Sequence, residues 1–226
     1  MTHAHVIYIY QAVAFLFALS VHEASHAWMA SRLGDQTARM LGRVTLNPLS
    51  HIDPIGTILM PAIGFFTGNA MIGWAKPTPV DARFFRNYMR DDILTTLAGP
   101  LSNMLIATCS FIVLVVLAFA SPTAHGIVKE LGYFSYSESD SIFLPICILL
   151  HVFVQINILL TIFNLLPFPP LDGSHVVQHF LPEGIRSIYS QMGVLSMVLF
   201  FTIGGKVIGI LEAPVLAVFS GILQRL

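Results

Sequence analysis

Two histidines and a glutamate stand in the five residues "HEASH", His22 to His26, inside an otherwise apolar run, "LFALSVHEASHAWMASRLG". The pattern is H-E-x-x-H. On a helix, positions four apart lie about 40° apart around the axis and about 6 Å apart along it. Both imidazoles can therefore reach one ion, and zinc accepts two such nitrogens. Glu23 is turned about 100° from His22, beside such an ion, where a carboxylate can take a proton from a zinc-bound water. The competing reading is a short pattern met by chance on a packed helix face. The apolar setting weighs against it. A charged group central in a membrane helix costs roughly 2.5–3.5 kcal/mol on insertion scales, so something must compensate. One metal ion does so for both histidines.

A catalytic zinc site needs a third protein ligand and an open position for water. The segment "FNLLPFPPLDGSHVV" (residues 163–177) supplies a candidate. An apolar run meets Pro167, Pro169 and Pro170, which must break a helix, and then reaches Asp172. Unwound backbone at membrane depth is tolerated where it is buried in protein or lines a wet cavity, so Asp172 is expected beside water. An ordinary turn or helix cap is the alternative, since Pro and Asp-Gly favour both. His175 is a rival ligand. His3, His5, His51, His125, His151 and His179 have no metal-ligand spacing.

The elements that must position these groups are membrane helices. The 226 residues are 55% hydrophobic and only 10% charged, against about 25% charged in soluble domains. The mean hydropathy is +0.77. A net charge of -1 gives no general attraction to nucleic acid or anionic lipid. Cys109 and Cys147 lie in apolar runs and read as buried thiols, and no cleavable signal peptide is evident. The expected fold is an all-α polytopic membrane protein of five to six membrane segments. They fall at residues 6–33, 52–68, 93–120 and 142–166, with one or two more after residue 185, where "GGK" and Pro214 interrupt. A short extended or β piece is expected near residues 70–80 ("MIGWAKPTPV") and a polar loop at residues 121–141. A single domain covers residues 1–226, with a core over about 6–180 and C-terminal helices over about 185–226.

With these stretches in hand, the chain resembles the site-2 protease family of intramembrane zinc metalloproteases, in the compact prokaryotic form without PDZ or CBS domains. "HEASHAWMASRLGD", "LGRVTLNPLSHIDPIGTILMP", "GWAKPTPV", "LAGPLSNM" and "FNLLPFPPLDG" occur in family order. The resemblance implies one zinc ion per chain held by His22, His26 and Asp172, with Glu23 as catalytic base. It implies supporting roles for Asn103 and Asn164, transmembrane protein substrates, and a prokaryotic plasma membrane. Residues 73–80 could pair with an extended substrate as an added strand or form a structural hairpin. An ion transporter and a catalytically silent scaffold are the rival readings. A transporter gains nothing from a glutamate held next to the first ligand.

Topology follows from charge. Arg32, Arg39 and Arg43 precede the second segment, and Lys76, Arg83, Arg86 and Arg90 follow it. Both clusters belong on the cytoplasmic side, which requires the segment between them not to cross. Residues 55–68 make about 21 Å of helix, short for hydrocarbon about 30 Å thick. A re-entrant segment near residues 52–68 is expected, with all three ligands at one shallow depth below the cytoplasmic face.

Overall fold

The computed structural model describes residues 3–67, 73–135, 140–193 and 205–226. Helix α1 (His3–Leu33) carries the H-E-x-x-H residues in its C-terminal third. After short turns at Thr37–Met40 and Pro48–Ser50, a π-helical turn (Pro54–Leu59) runs into α2 (Met60–Thr67). The Asp53 side chain starts that turn by accepting the N–H groups of Ile55 and Gly56, with Pro54 at the position that needs no donor. Helix α3 (Tyr88–Ala120) begins five residues earlier than its apolar run. Asn87 accepts the Arg90 N–H while Asp91 accepts the Asn87 N–H, so two otherwise orphaned donors are satisfied.

Part of the expected polar loop is a helix, α4 (Pro122–Gly132). Ser121 and Pro122 start it, and Ala124, Ile127, Val128 and Leu131 form its buried stripe at helical spacing. Helix α5 (Phe143–Asn164) follows, then α6 (Asp172–Gln178), the amphipathic α7 (Glu183–Gln191) and α8 (Gly205–Arg225). Pro214, expected to interrupt the last region, lies inside α8; membrane helices tolerate proline where the freed carbonyl finds another partner. Among the described residues four helices, α1, α3, α5 and α8, are long and apolar enough to cross a membrane, and Pro54–Thr67 is a shorter apolar stretch. The expected count of five to six segments, which included that shorter stretch, is not confirmed by the described residues. Residues 194–204, part of the expected C-terminal spans, lie outside the described residues.

The core is the seam where α3 packs on α1 and α5. Ala14, Ala107, Leu114, Cys147, Val152 and Ile158 are buried there, with Val128 and Leu131 of α4 and Leu223 of α8 closing the end remote from the histidines. The Gln224 amide donates to the Gly132 carbonyl at 2.7 Å and ties α8 to α4.

Contacts with α1 trace the chain between α1 and α3. The Tyr8 hydroxyl donates to the Pro61 carbonyl, Ala75 packs on Phe15, Ala18 and Leu19, Thr78 bonds to Glu23, and the Asp81 N–H donates to Asp35. The chain descends toward the start of α1 and climbs back to its end, as a re-entrant segment does. No β-strand forms among the described residues. Residues 70–72 of the expected extended piece lie outside them, and residues 73–81 run without a ladder. The N–H groups of Trp74, Lys76 and Thr78 go to three separate partners, the carbonyls of Gly56 and His51 and the Glu23 side chain. Pro77 and Pro79 have no N–H to give.

Candidate metal centre and active-site cavity

His22 and His26, one turn apart on α1, face the start of α6, and Asp172 meets them there. The two Nε2 atoms are 3.0 Å apart, and Asp172 Oδ2 lies 3.1 Å from the first and 3.4 Å from the second. Among the described residues this is the group of His, Cys, Asp and Glu able to hold a metal. His175, the rival, does not join it, although it lines the same cavity.

Hydrogen bonds on the far side of each ring decide what the cluster presents. His22 Nδ1 lies 2.6 Å from Asn103 Oδ1, and His26 Nδ1 lies 2.7 Å from the Thr95 carbonyl. Both partners are acceptors, so each neutral imidazole carries its proton on Nδ1 and bares a lone pair at Nε2. Two lone pairs and a buried carboxylate oxygen without a donor then face one another, an arrangement that repels itself unless a cation lies between them. Atoms bound tetrahedrally at the usual zinc–nitrogen and zinc–oxygen lengths stand ~3.3 Å apart, close to the separations here. The donor set fits zinc.

Two glycines allow this approach. A Cβ on Gly99 would stand 2.3 Å from His26 Nε2 and 2.7 Å from His22 Cε1, so only a bare α-carbon lets α3 pass this close to the rings. Next to it Pro100, inside α3, has no N–H to give the Thr96 carbonyl one turn back. A Cβ on Gly173 would meet the Leu165 carbonyl oxygen at 2.3 Å, so the Asp-Gly pair lets α6 start against the end of α5. Gly99→Ala should lower zinc affinity by roughly tenfold or more, the scale of lesions in groups that orient ligands. Competition with a chelator measures this, and an unchanged affinity would refute the close-approach argument.

Glu23 stands beside the cluster. Its Oε2 accepts the Thr78 N–H at 2.8 Å, and the Thr78 hydroxyl donates to the Glu23 carbonyl at 3.0 Å. Residues 73–81 thus hold the glutamate. Asn164 lies at the end of α5, on the cavity wall, with its amide donating to the Leu160 carbonyl at 2.9 Å. The cavity, about 660 Å³, has apolar walls formed by Trp74, Phe163, Phe168, Leu171, Met192 and Val207 among others, with Asp92, Thr95, Thr96 and His175 as further polar residues. His179, which has no metal-ligand spacing, bonds Asp92 at 2.7 Å and joins the end of α6 to α3.

Four participants escape the sequence reading: Thr78, Thr95, Gly99 and Asn157, whose Oδ1 accepts from Asn103 Nδ2 at 2.8 Å. Asn157 carries a visible signal, an amide in the middle of an apolar span, which must find partners or pay for its burial. Thr78 and Thr95 act through their backbones and Gly99 through the absence of a side chain, so none of the three leaves a chemical signature in the residue type.

The model of peptidase family M50 matches residues 10–204. A protein of Bacillus subtilis (strain 168) named "Putative zinc metalloprotease YwhC" is 36% identical over 96% of this chain and 94% of its own length. Rip2 of Mycolicibacterium smegmatis, named in the same terms, is 29% identical over 85% of this chain and 66% of its own. Rip2 of Mycobacterium tuberculosis is 26% identical over 80% and 61%. No solved structure gives a significant match. The H-E-x-x-H helix, the aspartate delivered by a proline-broken span and the match along most of the chain agree: the chain belongs to peptidase family M50, the site-2 protease family of zinc metalloproteases.

Proposed function

We propose that this intramembrane zinc metalloprotease hydrolyses peptide bonds in or near the transmembrane segments of membrane proteins, with one zinc ion held by His22, His26 and Asp172. The observation that carries the reading is the convergence of three lone-pair donors within 3.4 Å, with a carboxylate outside the cluster but beside it. When bound there, zinc supplies a Lewis acid that acidifies water and polarises a carbonyl. The rest falls to the protein. Glu23, one oxygen held by the Thr78 N–H, keeps the other to accept the proton of the attacking water and return it to the departing amine nitrogen. Asn164, on the cavity wall, is placed to orient the scissile segment or to donate to its carbonyl oxygen. The apolar walls receive apolar side chains and exclude bulk water, which strengthens the polar contacts inside.

The active site faces the cytoplasm. Helices α1 and α5 end, and α3 and α8 begin, at the end of the bundle that carries the site. Of the eleven lysines and arginines, only Lys129 on α4 and Arg225 at the end of α8 belong to the other end. Such an asymmetry orients the bundle with its site end inward. In sealed vesicles of a variant without Cys109 and Cys147, single cysteines at the exposed positions Met40 and Phe84 should label from the cytoplasmic side, and one at Tyr133 from the other. Opposite sidedness of Met40 and Phe84 would rule out the re-entrant segment.

Reconstituted protein should contain about one zinc per chain, as a three-ligand catalytic site does. It should lose proteolysis to a chelator, recover it with zinc, and move no zinc into a sealed vesicle. Zinc uptake without proteolysis would establish the transporter reading instead.

A further inference from the structure

Behind His22 a line of side-chain amides crosses three helices. Asn103 of α3 and Asn157 of α5 are both fully buried. Asn157 Nδ2 donates to the Phe153 carbonyl at 2.8 Å, one turn back on its own helix. That leaves Asn157 Oδ1 turned toward α3, where it accepts from Asn103 Nδ2 at 2.8 Å. The second proton of Asn103 Nδ2 points to the Ala18 carbonyl at 3.4 Å, and Asn103 Oδ1 faces His22 Nδ1 at 2.6 Å.

An amide can be turned end for end, but this chain has one stable polarity. Reversing Asn103 would set its oxygen against two acceptors, Asn157 Oδ1 and the Ala18 carbonyl. Relieving the first clash by reversing Asn157 as well would press Asn157 Oδ1 against the Phe153 carbonyl. A backbone carbonyl cannot reverse, so the direction of every bond in the chain is fixed at its far end. In the dry interior of a membrane bundle an acceptor–acceptor pair leaves both groups unsatisfied, and that cost holds the order.

We propose that Asn157 is a positioning residue for catalysis: acting through Asn103, it fixes His22 as the Nδ1–H tautomer with the Nε2 lone pair aimed at the metal site. The inference rests on the zinc-site reading above, and it makes a distinction between the two histidines. His26 has its own anchor in the Thr95 carbonyl, with no link to Asn157. A lesion at Asn157 should therefore disturb one ring and spare the other.

The test is Asn157→Leu in the full-length protein, with ring-15N histidine, in detergent or nanodiscs. In the zinc-free wild type, at a pH alkaline enough to keep both rings neutral, 15N spectra should show both His22 and His26 as Nδ1–H forms. In the variant, His22 should become a mixture of tautomers while His26 stays in its Nδ1–H form, and zinc affinity by chelator competition should fall about tenfold, the lower end for groups behind a ligand. Should Asn157→Leu not accumulate as folded protein, Asn157→Ala removes the same polar ends without added bulk and is read in the same way. Unchanged His22 signals with zinc affinity within twofold of wild type would overturn the proposal. So would equal disturbance of both rings, which marks a packing defect. The tautomer is read without metal or activity, so a wild type that binds no zinc would refute the zinc-site reading and leave this result separately legible.

Discussion

Glu23→Gln should keep about one zinc per chain, as a site whose three ligands are untouched would, and lose hydrolysis by 10²- to 10⁴-fold, the usual contribution of a general base. The geometry separates the two effects. The three converging donors belong to His22, His26 and Asp172, while Glu23 Oε2 is occupied by the Thr78 N–H at 2.8 Å. A glutamine keeps a carbonyl oxygen for that N–H, so the local structure survives. Its amide cannot take up a proton at neutral pH. Elemental analysis and a cleavage assay on the same preparation give both quantities, and a variant that cuts at the wild-type rate would remove Glu23 from the mechanism.

Asp172→Ala should weaken zinc retention by 100-fold or more, because removing a ligand exceeds the 10- to 100-fold effect of lesions behind one. It leaves two imidazole nitrogens, 3.0 Å apart, as the remaining donors. His175→Ala is the control. His175 sits one turn further along α6 and lines the cavity, but its nitrogens are not among the converging donors, and its loss should change zinc affinity less than threefold. Dissociation constants from chelator competition decide the matter, and a reversal of the two effects would transfer the ligand role to His175.

The donor set was legible in the sequence because each part leaves a local mark. H-E-x-x-H puts two imidazoles on one helix face, and three prolines must end a span before Asp172. The short second apolar stretch was legible from its length. The β piece was not, because a strand depends on which N–H groups meet a neighbour, and here prolines and separate partners leave no ladder. Helix α4 was hidden by its polar surroundings, although Ser121, Pro122 and the stripe Ala124, Ile127, Val128 and Leu131 spell it out. The contacts behind the histidines lay beyond reach for a different reason. That Thr95, Asn103 and Asn157 converge on two rings is a property of how α1, α3 and α5 pack, and spacing within one helix carries no information about it.

The most direct test of the central claim compares the membrane proteins of cells carrying the intact protein with those of cells carrying Glu23→Gln at equal abundance. Mass spectrometry of the new termini should find at least one membrane protein cut in or beside an apolar span in the first cells and present only as the uncut precursor in the second. Identical termini in both, in cells where the intact protein is folded and zinc-loaded, would contradict the assignment of this site to intramembrane proteolysis.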